Sequence, residues 1–317
     1  MSAARPLRRT PFTVIGGFLG AGKTTLVNHL LDEAGGAARR LAVLVNDFGA
    51  VNIDAASIGA RTADTIALSN GCVCCQIGDD LTMALVRVLD APDPFDAIIV
   101  EASGVSDPWR IAQIARADPA LTLEGVVVLV DADAALAQAA DPLLADTFER
   151  QLRSADLVVL NKIDLARDDD LAATRAWIAD VAGKVTIIDA TRARVPLALL
   201  VGDGRQPGQA WRGTRTLREA AAAHGIDFES SLFRPQTEFA EGSLRALLAA
   251  MPDGVLRLKG LLRTDRWPWA EIQFSGRHGS LREALEVPSD GAAAVVAIGL
   301  RGGLPNAELA RHFGLPQ

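Results

Sequence analysis

"GGFLGAGKTT", residues 16–25, follows the apolar run "FTVI" and leads straight into "LVNHLLDEA". Gly17, Gly22, Lys23 and Thr24 satisfy the pattern G-x-x-x-x-G-K-[ST], and the flanks supply the strand before and the helix after that the pattern requires. Glycines let successive backbone N–H groups turn inward around phosphate oxygens, while the helix N-terminus adds positive potential. The stretch predicts a phosphate-binding loop built from Gly17, Gly20, Ala21, Gly22, Lys23, Thr24 and Thr25. Lys23 is expected to reach the terminal phosphates, and the Thr24 hydroxyl to ligate magnesium.

A strand, a glycine loop and a helix in that order open a βαβ unit, and the next 180 or so residues repeat the theme. Strand-length apolar runs recur as "LAVLVN" from 41, "DAIIVE" from 96, "GVVVLVD" from 125, "ADLVVLN" from 155 and "VTIIDA" from 185. Runs that are apolar throughout are buried on both faces, as in a parallel sheet covered by helices. The spacing predicts helices over 23–33, 79–90, 107–117 and 168–182, and so a doubly wound α/β domain. Glycine, proline and polar residues then cluster at 201–216, "VGDGRQPGQAWRGTRT", as they do in linkers. The expected division is a nucleotide-binding domain over 1–204, a linker over 205–225 and a small α+β domain over 226–317. In the small domain, Arg257, Lys259, Arg263 and Arg266 alternate with apolar residues and are expected on a solvated sheet face. Trp267 and Trp269 are expected in its core rather than on a docking surface.

Two later stretches narrow the ligand. "LVVLNKIDL" sets Asn161, Lys162 and Asp164 behind an apolar strand, at the edge where doubly wound sheets bind ligands. A carboxylate there accepts from both N1–H and the 2-amino group of guanine; adenine has neither donor, so Asp164 selects GTP over ATP. This weakens the reading as a P-loop kinase of small molecules. "AIIVEASGVSDP" ends a strand in Glu101, with Gly104 three residues on. A strand-tip acid can hold magnesium, and a nearby glycine N–H can sense the terminal phosphate. Hydrolysis calls on Lys23, Thr24 and a group that orients water, for which Glu101 and Asp47 both stand as candidates.

All three cysteines of the 317-residue chain, Cys72, Cys74 and Cys75, fall within "SNGCVCC", residues 69–75. Crowded thiols point to a soft-metal site or to redox chemistry rather than packing. In an extended segment Cys72 and Cys74 face the same way and Cys75 the other, so two thiolates can chelate one ion and the third joins only if the backbone turns. Thiolates suit zinc, copper(I) or, less tightly, cobalt and nickel. The four histidines, His29, His224, His278 and His312, lie scattered with no metal-ligand spacing.

The net charge of −7 argues against a nucleic-acid backbone as partner. No apolar run approaches a membrane span, and "MSAARPLRRT" runs into strand-like "PFTVIGG" without a signal-peptide core. The expectation is a cytoplasmic protein with no membrane partner.

In this order, "GGFLGAGKTTL", "NDFGAVNID", "SNGCVCC", "EASGVSDP" and "NKIDL" resemble the CobW-like family of metal-handling GTPases, and "MPDGVLRLKGLLRT" resembles the family's C-terminal domain. The resemblance implies a metallochaperone whose cysteines bind zinc or another transition metal, with GTP binding and hydrolysis to GDP governing transfer to a client metalloprotein. A timer for metalloenzyme assembly with metal- or redox-sensing cysteines is the alternative it leaves. The family segment is usually Asn-Glu-Phe-Gly, often followed by glutamate; here Asn46, Asp47, Phe48 and Gly49 precede Ala50. Asp47 keeps a carboxylate of shorter reach, while Ala50 offers no donor, so whether Asp47 or Cys75 completes the metal's coordination stays open. No arginine finger is identifiable from the sequence, so a client or a homodimer partner is expected to raise a slow intrinsic hydrolysis rate.

Overall fold

The computed structural model describes residues 9–36, 39–47, 65–69, 79–201, 228–285, 287–288, 291–314 and 316. The chain divides into two compact units, one containing the described residues 9–201 and the other 228–316.

In the first unit, strands β1 (Thr10–Gly17), β2 (Leu41–Asp47), β3 (Thr65–Ser69), β4 (Ala97–Glu101), β5 (Leu121–Asp131), β6 (Leu157–Asn161) and β7 (Thr186–Ala190) form one sheet in the order β3-β2-β4-β1-β5-β6-β7. Every pairing is parallel. Around it lie α1 (Lys23–Gly36), α2 (Asp79–Leu89), α3 (Pro108–Ala117), α4 (Ala135–Ala140), α5 (Ala145–Ser154), α6 (Asp168–Ala182) and α7 (Leu197–Val201). The apolar runs are strands because both of their faces are covered. Alternate residues Phe12, Val14, Ile98, Val100, Val126, Val128, Val158 and Leu160 pack with Leu85, Ile111, Phe148 and Ile178 of α2, α3, α5 and α6. The opposite face is met by α1 and by α7, to which Thr13 is tied through its hydroxyl donating to the Leu200 carbonyl at 2.8 Å. The unit is doubly wound, as the apolar runs predict.

The connection from β1 runs to β2 on one side of it, and that from β5 runs to β6 on the other. The carboxyl ends of β1 and β5 therefore flank a switch point, where such sheets open a crevice for ligands. Strand β3 and helices α4 and α5 are not among the elements expected from the sequence. β3 is the edge strand beside β2, and "TIALS" lacks the long valine run that marks the central strands.

The second unit is an antiparallel sheet of β8 (Phe228–Phe233), β9 (Arg257–Leu262), β10 (Ala270–Ser275), β11 (His278–Glu283) and β12 (Ala294–Leu300), in the order β11-β10-β9-β12-β8. Helices α8 (Glu241–Ala249) and α9 (Asn306–Phe313) accompany it. Leu244, Leu248, Leu258, Ile272, Val295, Leu309 and Phe313 form its core, with Trp267 packed against them. One expectation fails here. Arg257 is buried, at 6% exposure, because β9 is the middle strand and Arg257 sits between Ser275 of β10 and Ile298 of β12. Lys259 is half-buried; only Arg263 and Arg266, beyond the strand, are exposed. Among the described residues no helix is long and apolar enough to cross a membrane.

Candidate nucleotide site

The glycines at the end of β1 are set by their neighbours. A Cβ on Gly16 would lie 2.5 Å from Pro108 Cγ at the start of α3, and one on Gly17 2.5 Å from the Leu129 carbonyl oxygen of β5. Gly17, Gly20 and Gly22 also have φ of 132°, 79° and 103°, which side chains with a Cβ resist. Between them Phe18 turns inward, its ring 6.1 Å from that of Phe148 on α5, while Leu19 stays exposed. The loop closes into α1 with the Ala21 N–H donating to the Phe18 carbonyl at 3.2 Å and the Leu26 N–H to that of Gly22 at 2.9 Å.

Lys23 is 8% exposed, and its ammonium donates to the Phe18 carbonyl at 3.2 Å, so the cation is folded back over the loop. Thr24 stands in the first turn of α1, and its hydroxyl donates to Oε1 of Glu101 at 2.9 Å. Glu101 ends β4 and is 2% exposed; its register partners are Ile15 of β1 and Val45 of β2, which places it at the centre of the sheet's carboxyl edge. Thr25 is exposed. The fold thus brings together two of the predicted residues, 77 positions apart, as an all-oxygen pair beside a helix N-terminus. Such oxygens suit a hard divalent cation, and the helix end suits the phosphates that accompany it.

Gly104 follows Glu101 and packs on the loop: a Cβ there would lie 2.6 Å from Leu19 Cδ2 and 3.0 Å from the Leu19 nitrogen. The turn is closed by Ser106, whose N–H and hydroxyl both donate to the Ser103 carbonyl. Asp107 then caps α3, accepting from the Trp109 N–H at 3.0 Å, with Pro108 in the first turn.

At the other end of the loop, Asn161 closes β6 at 2% exposure. Its amide donates to the Ala21 carbonyl at 2.9 Å and its Oδ1 accepts from the Ala193 N–H at 2.7 Å. One side chain therefore joins the phosphate loop, β6 and the turn after β7. Lys162 adopts φ 61° and forms an ion pair with Asp131, at the end of β5, at 2.6 Å. Asp164 is exposed, with no hydrogen-bond partner among the described residues. Asp131 and the Ala193 turn are absent from the expected set; both act through backbone or ion-pair contacts that carry no motif. The only available signal was the acid at the end of the "VVVLVD" run.

Asp47 ends β2, paired in register with Ser69 of β3. Ser69 is also the first residue of "SNGCVCC", so this stretch departs from the same carboxyl edge that carries the phosphate loop and Glu101. Cys72, Cys74 and Cys75 lie outside the described residues, as do Phe48, Gly49, Ala50 and the Asp47 side chain. Among the described residues there is no group of three or more His, Cys, Asp or Glu side chains placed to hold a metal.

The nucleotide-binding domain described as CobW/HypB/UreG matches residues 11–189, and the C-terminal domain of the cobalamin synthesis protein cobW matches 228–314. The zinc chaperone CobW of Pseudomonas aeruginosa is 36% identical over 230 residues, covering 62% of this chain and 61% of that protein. The zinc chaperone YjiA of Escherichia coli is 35% identical over 196 residues, 59% of each. The match thus spans about three-fifths of the length of these curated relatives. The crystal structure of Zn(II)-bound YjiA GTPase from E. coli aligns with a TM-score of 0.47 at 24% identity, over 96% of this chain and 98% of that one. With one family domain over most of the first unit and the other over the second, the chain belongs to the CobW/HypB/UreG family and carries its CobW-type C-terminal domain.

Proposed function

We propose that this chain binds and hydrolyses GTP, and that it carries a transition metal, zinc before others, on Cys72, Cys74 and Cys75 for delivery to a client metalloprotein. The observation that supports the nucleotide half is the hydrogen bond of 2.9 Å between the Thr24 hydroxyl and Glu101, because it brings oxygens suited to a hard cation together at the mouth of a phosphate loop from two distant motifs. Thr24 and Glu101 would hold magnesium, which supplies charge neutralisation on the phosphates when bound. Lys23 and the α1 N-terminus stabilise the phosphate oxygens, and the open carboxylate of Asp164 accepts from the guanine edge.

The metal half is supported by the crowding of three thiols and by the naming of the relatives as zinc chaperones. In this reading zinc is cargo: it must be released, which favours fewer than four permanent protein ligands. The division into a nucleotide domain over 1–204, a linker over 205–225 and a C-terminal domain over 226–317 is part of the same proposal, as is a cytoplasmic setting. A transfer assay tests the whole. Zinc-loaded chain is mixed with an apo-metalloenzyme, and recovery of enzyme activity is followed with GTP, with GDP and with a non-hydrolysable GTP analogue. The expected result is faster transfer with GTP than with either alternative; equal rates under all three conditions contradict the proposal.

A further inference from the structure

Gln151, on α5, is 1% exposed. Its side-chain nitrogen donates to two backbone carbonyls, that of Gly104 at 3.0 Å and that of Ser106 at 2.9 Å. Both N–H donors of the amide are thereby used on the turn that leaves β4 after Glu101, while Oε1 has no partner among the described residues. Packing alone does not account for a glutamine here. Methionine or leucine would fill a similar volume without burying an unmatched carbonyl oxygen, which is costly. The side chain's contribution is therefore the two bonds it makes to the turn.

Their effect follows from peptide geometry. A trans peptide unit directs its carbonyl and its N–H in opposite directions, so holding the Gly104 carbonyl toward α5 turns the Val105 N–H away from that helix. The N–H groups of Gly104 and Val105 have no acceptor among the described residues, and Gly104 lies against Leu19 of the phosphate loop. Two unengaged amides are thus held beside that loop by one buried side chain. Its helix is anchored in turn: α5 leads into Asp156, whose N–H donates to the Val126 carbonyl and whose carboxylate accepts from the Val126 N–H, both at 2.8 Å. From there β6 runs to Asn161 and its bond to Ala21.

We propose that Gln151 is a positioning residue for phosphate sensing, fixing the Gly104–Ser106 turn so that the Gly104 and Val105 amides face the terminal phosphate and the chain distinguishes GTP from GDP. This rests on the reading of the loop as a GTP site. The test compares wild-type full chain with Q151M and Q151N for equilibrium affinity toward GDP and toward a non-hydrolysable GTP analogue, and for kcat. Q151M is expected to keep GDP affinity within about twofold, to lose about tenfold in analogue affinity, and to lose up to about 100-fold in kcat, the order that a ~1 Å misplacement costs. Q151N keeps the amide one methylene short and is expected to show the same selective defect at smaller size; should Q151M fail to fold, Q151N decides by the same criteria. An unchanged analogue-to-GDP affinity ratio with unchanged kcat overturns the proposal, as does an equal loss of both nucleotides, which marks a purely structural side chain. A wild-type chain that neither hydrolyses GTP nor binds the analogue overturns the underlying reading instead, and the proposal with it.

Discussion

Thr24 and Glu101 meet because α1 begins where β1 ends, and β4 is β1's neighbour in the sheet. If the pair holds magnesium, removing the charge of Glu101 matters more than removing its bulk. E101Q keeps the shape and an acceptor oxygen for Thr24, yet it is expected to lower magnesium-dependent GTP hydrolysis by about 100-fold or more, with thermal unfolding little changed. Steady-state phosphate release across a magnesium titration checks this; hydrolysis within a few-fold of wild type would remove Glu101 from the site. At the base end, Asp164 is exposed and unengaged, so its substitution leaves the fold alone. D164N is expected to weaken GTP binding by about 100-fold, since an acceptor facing two donors becomes partly a donor. The same variant is expected to gain affinity for xanthosine triphosphate, whose C2 carbonyl wants a donor. Competition binding with both nucleotides gives the comparison, and unchanged GTP affinity would place the base elsewhere.

Among the elements, the phosphate loop is tightly constrained at Gly17 and Gly22, where both backbone conformation and packing exclude a Cβ. Gly22 combines φ 103° with a position where a Cβ would fall 2.5 Å from the Asn161 amide nitrogen. G22A is therefore expected to cost about 1–3 kcal/mol of stability and to break the Asn161–Ala21 tie, read as a lowered denaturation midpoint and weakened nucleotide binding. The start of α8 offers a pH effect. Glu241 is hydrogen-bonded by Arg245 and Arg266, and these, in that order, hold its carboxyl below the usual glutamate range. A carboxyl pKa lowered by folding contributes stability above its unfolded pKa, and that stability is lost as pH falls through the lowered value. Wild type is accordingly expected to exceed E241Q in unfolding temperature at neutral pH by a small margin that shrinks below pH ~4.5. A margin independent of pH would contradict the assignment.

The same elements show what a sequence displays and what it hides. The stretches 157–160 and 97–100, strands up to their last residue, are apolar throughout because helices cover both faces, so composition alone reveals them. β11, "HGSLRE", is an edge strand with one buried residue, Leu281, and its polar text looks like a loop. The placement of the phosphate-loop pattern, Glu101, Asn161 and Asp164 at or just after strand ends was legible because each motif adjoins an apolar run. Gln151 and Asp131 were not, since their partners lie 47 and 31 positions away in the chain and only the fold brings them together.

At the scale of the molecule, the nucleotide site and the stretch that leads to the cysteines share one edge of one sheet. Glu101 pairs in register with Val45, two residues before Asp47, and Asp47 pairs with Ser69, three residues before Cys72. On the proposed function, a change in the terminal phosphate would act at the strand ends that precede the thiol-bearing segment, and the GTP and GDP states would assemble and dismantle a thiolate site. Linkage makes this quantitative: if zinc binds the GTP state more tightly, GTP binds the zinc-loaded chain more tightly by the same factor. The decisive measurement is the zinc affinity of the reduced chain by competition with a chromophoric chelator, with magnesium present, in the GTP-analogue and GDP states, and again for the C72S/C74S/C75S variant. The account predicts affinities that differ by about tenfold or more between the two nucleotide states, and no such stoichiometric site in the variant. Equal affinities in both states, or zinc binding that survives loss of the three thiols, would contradict it.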